Sequence, residues 1–308
     1  MIQEELRRPA GLKPGDKVGL VAPARKVSRA EMQPAVSMLY GWELEVVEGE
    51  HLYNEEHQFS GTDVQRAADF QRMLDDPEIK AVFSARGGYG CMRIIDRIDF
   101  RKFSETPKWI VGYSDLTVFH SHVHRNFGVQ TLHATMPINF AKDEASTESL
   151  RRTLFGEDMI YSWTDMRSAE NRTGNAEGTL TGGNLSLLYA LSNSVSDIDT
   201  AGKILFLEDL DEYLYHVDRM MLSLDRAGKL EKLAGLVIGG MDDMKDNAIP
   251  FGKTAEQIIL DTVSKYDFPV CFGFPAGHGK ENVALRLGGK VQMEVSDGLK
   301  AILSFTGL

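Results

Sequence analysis

Short apolar runs alternate with longer amphipathic stretches along the first half of the chain. Lys17–Ala22 (K-V-G-L-V-A) is a compact apolar run stopped by Pro23 and predicts a buried strand. Ala30–Leu39 has helical spacing, and Glu43–Val47 follows the Gly41 break as a second strand. Gly61–Leu74 predicts a helix whose apolar side holds Val64, Ala67, Ala68, Phe70, Met73 and Leu74. Thr62 caps it, and Gln65, three residues on, completes a capping box. Ala81–Ser84 and Trp109–Val111 predict two further buried strands. The first leads into A-R-G-G-Y-G. The second leads into G-Y-S-D, after which Leu116, Phe119 and Val123 mark one face of a helix.

The polar stretch from Asp143 to about Gly178 has no sustained period and reads as a connection. Beyond it, Gly182-Gly183-Asn184 opens a helix carrying Leu185, Leu188 and Leu191, and Lys203–Leu207 is an apolar strand followed at once by Glu208. Asp211–Leu224 and Thr254–Val263 read as helices; Leu236–Ile238 and Pro269–Phe272 read as strands, the last leading to G-F-P-A-G-H. The tail alternates around Gly288-Gly289 and Asp297-Gly298, as antiparallel hairpins do. These patterns predict an α/β protein with two domains. Residues 1–165 form an open parallel sheet flanked by helices, flavodoxin-like or Rossmann-like, with the linker starting near 143. Residues 166–308 form a smaller α/β domain rich in β structure.

Composition narrows the function. A net charge of −11 argues against a nucleic-acid or anionic-membrane surface, though not against one basic pocket for a small anion. Cys91 and Cys271 follow no metal spacing and read as buried thiols. The first residues lack an apolar signal core, and no run reaches the roughly 18 apolar residues of a membrane span, so the cytoplasm is expected.

Open parallel sheets form sites beyond the carboxyl ends of their strands, which singles out Gly87-Gly88, Ser114, Glu208 and His278. Each has two open readings. Ser114 sits at a strand-to-helix turn, where it either caps the helix or stands out as a nucleophile. G-Y-S-D is not the G-x-S-x-G elbow of α/β-hydrolases. Glu208 is a surface acid at a strand end or a carboxylate facing the mouth of the sheet, and His278 is a structural or solvated loop residue or a base. Together they are the three members a serine hydrolase needs: a weak nucleophile, a base, and a carboxylate that fixes the base's tautomer. Rival chemistry is thinner. Gly88-Tyr89-Gly90 supplies only two glycines of a dinucleotide motif. His120 and His124 in H-S-H-V-H are four apart and open to metal ligation, without H-E-x-x-H. The acidic run Glu208–Glu212 matches no calcium loop.

A-R-G-G-Y-G, V-G-Y-S-D-L-T, G-G-N-L-S-L-L, L-F-L-E-D-L-D-E and G-F-P-A-G-H, in this order, resemble the LD-carboxypeptidases, the muramoyltetrapeptide carboxypeptidases of serine peptidase family S66. The resemblance runs from V-G-L-V-A-P to the last hairpins. It implies Ser114 as nucleophile, Glu208 as carboxylate, His278 as general base, and an oxyanion hole of backbone amides near Gly88 and at Asp115. The substrate it implies is a murein tetrapeptide, free or as UDP-MurNAc-tetrapeptide, which loses its terminal D-alanine in wall recycling. It also implies a homodimer with no metal and no cofactor. Arg86, beside the glycines, is a candidate for the substrate carboxylate, or simply a member of a structural ion pair. Many members carry Pro before the Asn where this chain has G-K-E-N. A sister group of the family degrades peptide nucleotides related to microcin C7. That substrate is the alternative, with Trp163 as the aromatic that would stack on a base.

Overall fold

The computed structural model describes residues 6–165, 170–296 and 300–306. It divides into two compact units, one of residues 6–157 with 283–286, the other of 158–282 with 287–308. The Asp297-Gly298 turn lies outside the described residues.

The first unit holds, in chain order, β1 (Lys17–Val21), α1 (Arg29–Gly41), β2 (Glu45–Glu48), α2 (Asp63–Asp75), β3 (Ile79–Ser84), α3 (Cys91–Ile94), α4 (Arg101–Glu105), β4 (Trp109–Gly112), α5 (Thr117–Phe127), β5 (Thr131–His133) and α6 (Glu144–Leu154). Its five N-terminal strands run parallel in the order β2-β1-β3-β4-β5. This is the flavodoxin-like doubly wound order, whose winding reverses between β1 and β3. Apart from Lys17 and Lys80 near their starts, the central strands are largely apolar because helices cover both faces of the sheet; Val18, Val82, Phe83, Trp109 and Val111 are all sealed from solvent. The Thr62–Gln65 capping box starts α2.

The second unit contains β6 (Ile160–Thr164), β7 (Gly174–Asn184), α7 (Leu185–Leu191), β8 (Ile204–Leu210), α8 (Leu214–Arg226), β9 (Gly235–Asp242), α9 (Ala255–Thr262) and β10 (Val270–Cys271), then, after β11 (Leu285–Leu287), β12 (Lys290–Val295) and β13 (Lys300–Phe305). Its sheet is mixed, in the order β10-β9-β8-β7-β12-β13-β6. The change of direction happens at β7. Residues 174–179 of β7 pair antiparallel with β12, and residues 180–184 pair parallel with β8. Burial follows the pairing: the first part alternates between the two faces, and the rest is buried without interruption.

Three differences from the sequence expectation have physical causes. The polar stretch after Asp143 contains α6, whose buried face is built from Ser146, Thr147, Ser149 and Thr153 beside Leu150 and Leu154. The hydroxyls of Thr147, Ser149 and Thr153 donate to backbone carbonyls, Thr147 to Phe140 (3.1 Å), Ser149 to Ser146 (2.7 Å) and Thr153 to Ser149 (2.8 Å). A helix that buries hydroxyls shows no apolar period. In the same stretch β6 alternates over only five residues, with Tyr161 and Trp163 inward. Finally, β11 does not form a hairpin with β12; it lies beside β5 as the sixth strand of the first sheet. There the Ala284 N–H donates to the Ser149 hydroxyl at 2.9 Å.

Candidate active site

In the first unit, β4 ends at Gly112, and a single 3-10 turn, Ser114–Leu116, leads into α5. Ser114 takes φ +60°, the left-handed region. For a residue with a side chain this costs on the order of 1 kcal/mol and persists only where surrounding structure demands it. The positions that cap the turn and the helix are Tyr113 and Leu116, and neither start has a side-chain cap bond. Ser114 instead stands at a strained elbow beside Gly87, where an added Cβ would come within 3.1 Å of the Ser114 Cβ and 3.3 Å of its Oγ. Asp115 is the second residue of the 3-10 turn, so its N–H has no carbonyl to bond within that turn. His120, one helical turn on, is sealed from solvent and braces the elbow by donating Nε2–H to the Gly112 carbonyl at 2.8 Å. Burial holds its pKa at about 4, so the ring is neutral.

Gly88 lies on the loop after β3 and is exposed, with φ +110°. Arg86 precedes it, half-buried, and reaches the Glu31 carboxylate only at 4.0 Å. Glu31 is itself committed to the capping box of α1.

In the second unit, Glu208 lies inside β8, not at its end, and has no solvent exposure. Its Oε2 meets Nδ1 of His278 at 2.7 Å. A carboxylate can only accept here, so the proton sits on Nδ1, and Nε2 of the neutral ring is left as an acceptor. Burial lowers the pKa of His278, but the charge of Glu208 and its hydrogen bond outweigh burial and leave it raised, with Asp209 and Asp242 adding to the effect. The loop that carries the imidazole is fastened to the end of β9 by the Phe274 N–H on Ile238 (3.0 Å) and the Gly240 N–H on Ala276 (2.9 Å). Asn282 closes it by accepting the Gly277 N–H at 3.1 Å. Gly277 has to be small: a Cβ there would stand 3.2 Å from the Glu208 Cβ.

Sequence reasoning passed over Asp209. Its carboxylate accepts from Asn184 Nδ2, the Ser186 N–H and the Leu210 N–H, each at 2.9 Å, and so ties the start of α7 to β8. Burial first, then the charge of Glu208, raises its pKa to about 7. The signal was present in L-F-L-E-D, where two successive acids follow an apolar strand.

Other candidates find different roles. His124 bonds the Thr131 hydroxyl at 3.0 Å and His120 is committed to Gly112, so the pair is not arranged as ligands. Among the described residues no group of three or more His, Cys, Asp or Glu could hold a metal ion. In the acidic run after β8, Asp211 pairs with Lys245 and Glu212 with His216. Trp163 is buried, donates its indole N–H to the Phe272 carbonyl at 2.9 Å and meets Phe274 edge-on at 4.9 Å. Both cysteines are buried free thiols, their pKa values raised chiefly by burial. No described helix is long and apolar enough to cross a membrane.

Comparison with known proteins agrees with this architecture. Residues 18–134 match the LD-carboxypeptidase N-terminal domain and residues 177–293 the LD-carboxypeptidase C-terminal domain. A probable murein peptide carboxypeptidase of Bacillus subtilis is 35% identical over 94% of this chain and 92% of its own. The crystal structure of muramoyltetrapeptide carboxypeptidase from Oxalobacter formigenes superposes with a TM-score of 0.85 at 28% identity, covering 94% of this chain and 99% of that one. The microcin C7 self-immunity protein in complex with aspartyl sulfamoyl adenosine shares the fold, with a TM-score of 0.85 at 22% identity over 97% of this chain and 98% of that one. With both domain families matched in order along the chain, the protein belongs to the LD-carboxypeptidases, the peptidases of family S66.

Proposed function

We propose that this protein is a serine L,D-carboxypeptidase that releases the terminal D-alanine from murein tetrapeptides in the cytoplasm, and that it works as a homodimer without a metal. The observation that carries the reading is the buried Glu208–His278 pair, which fixes the imidazole tautomer that general-base catalysis requires. In this mechanism His278 Nε2 takes the Ser114 hydroxyl proton as Oγ attacks the carbonyl carbon before D-alanine. The N–H groups of Gly88 and Asp115 receive the developing oxyanion. His278 then protonates the departing amine, D-alanine leaves, and water, activated by the same base, hydrolyses the ester on Ser114. Glu208 stabilises the imidazolium in both steps. Arg86, with only a long contact to Glu31, is available for the substrate carboxylate. The named activities of the Bacillus subtilis relative and the Oxalobacter formigenes structure support the substrate class. The indole N–H of Trp163 is committed to the Phe272 carbonyl, which supports the peptide reading over the nucleotide alternative.

Mass spectrometry of a murein tetrapeptide incubated with purified protein in EDTA, beside Ser114→Ala, tests the proposal. Loss of one alanine with the wild type alone is the expected result. An intact tetrapeptide together with cleavage of an aminoacyl nucleotide would transfer the protein to the sister activity. Equal cleavage by the variant would remove Ser114 from the mechanism.

A further inference from the structure

The proposed oxyanion hole needs one N–H from the loop after β3 and one from the elbow after β4, on separate segments of chain. Backbone donors work only when their spacing is set before the reaction. Asp115 is bound to both segments. Its backbone belongs to the elbow, while its side chain, 1% exposed, accepts the N–H of Cys91 at 2.8 Å, directly after A-R-G-G-Y-G.

The peptide group that this N–H belongs to joins Gly90 to Cys91, and it is held from its other end as well. Arg66, 2% exposed, donates Nη1 to the Gly90 carbonyl at 3.2 Å and to the Pro23 carbonyl at the end of β1. Its other nitrogens are taken by the Gly61 carbonyl at 3.4 Å and by Asp63. One peptide plane is therefore clamped between a buried carboxylate and a buried guanidinium, and the glycine loop leads directly into it. A cap for α3 alone does not account for this. The helix has four residues, and the second carboxylate oxygen, Oδ1, is buried without a hydrogen-bond partner. Burying a carboxylate this way is costly.

We infer that the Asp115 side chain is a positioning residue for the reaction, with Arg66 as its counterpart: together they clamp the Gly90–Cys91 peptide and so set the distance between the Gly88 and Asp115 N–H donors. The inference rests on the serine mechanism proposed above.

The test measures kcat and KM on the tetrapeptide and, independently of substrate, the rate at which a fluorophosphonate labels the serine. Asp115→Ala is expected to lose about 10- to 100-fold in kcat and in labelling rate, with KM within about 2-fold, because only transition-state charge loses its donors. Asp115→Asn keeps an acceptor for the Cys91 N–H and is expected to restore both rates to within about 3-fold of wild type. A merely structural role predicts the opposite pattern: full kcat at any temperature where Asp115→Ala is folded by circular dichroism. That result would overturn the inference. Should Asp115→Ala not fold, Arg66→Lys decides. Its ammonium cannot span both carbonyls, so about a 5-fold fall in kcat at constant KM is expected, and wild-type kcat would overturn the inference. Failure of the wild type itself to cleave the peptide and to be labelled would refute the serine mechanism instead.

Discussion

The surroundings of Ser114 and of His278 are built on opposite physical principles. Around Ser114 the information is steric. A left-handed residue, an adjacent glycine and a neutral histidine on a backbone carbonyl hold the turn. Around His278 it is electrostatic. Two consecutive buried acids, Glu208 and Asp209, sit on one strand, and the imidazole is held by charge as well as by a hydrogen bond. The difference teaches where each is vulnerable. The elbow should fail to added atoms, whereas the imidazole should fail to neutralised charge and respond to pH.

The largest effect is expected at the elbow. Ser114→Gly removes the proposed nucleophile and should lower kcat by at least about 10³-fold. It also relieves the left-handed conformation, so chemical denaturation should show a gain on the order of 1 kcal/mol. Loss of activity accompanied by loss of stability would mean the turn is not strained.

Next comes Glu208→Gln, expected to lower kcat by about 10²- to 10⁴-fold while the fold persists. The sign of its pH effect is fixed by the raised pKa of His278. The base must be neutral, so kcat/KM of the wild type should rise with pH around a midpoint above the ordinary histidine value of about 6.5. In Glu208→Gln that midpoint should move down. Linkage runs the other way. The pair's contribution to stability is complete below about pH 6.5 and fades as pH rises through the folded-state pKa. Activity therefore climbs across the interval in which this stabilisation is lost, and parallel rate and melting profiles would check both.

Gly87→Ala sharpens the steric half. The added methyl would press on Ser114 and on the Met136 methyl at 3.1 Å, so about a 10-fold fall in kcat with a nearly unchanged melting temperature is expected. The smallest effect belongs to Asn282→Ala, which frees the Gly277 N–H and loosens the loop; a loss of about 3-fold in kcat, with the pH midpoint unmoved, would place it in loop geometry and not in charge.

Much of the fold could be read from the chain because covered parallel strands are largely apolar and the Thr62–Gln65 and Asn184 caps sit beside the helices they start. What stayed hidden had particular causes. α6 buries hydroxyls that bond its own backbone, β7 changes partner and burial pattern midway, and β11 pairs far from its neighbours in sequence. At the candidate site, Ser114, Glu208 and His278 stood out as chemical types at strand ends, but two of their properties could not be read. The left-handed φ of Ser114 depends on surrounding packing, and the complete burial of Glu208 follows from β8 continuing past Leu207. The tie between Asp115 and Cys91 joins residues 24 apart that no periodicity links.

The central claim is that Ser114 is a nucleophile activated by the Glu208-anchored His278. Fluorophosphonate labelling followed by peptide mapping across a pH series tests it most directly. The account predicts a single phosphonyl adduct on Ser114, formed with a rate midpoint above about pH 6.5, shifted downward in Glu208→Gln and nearly abolished in His278→Ala. Labelling at another residue, or labelling of Ser114 at the same rate in His278→Ala, would contradict it.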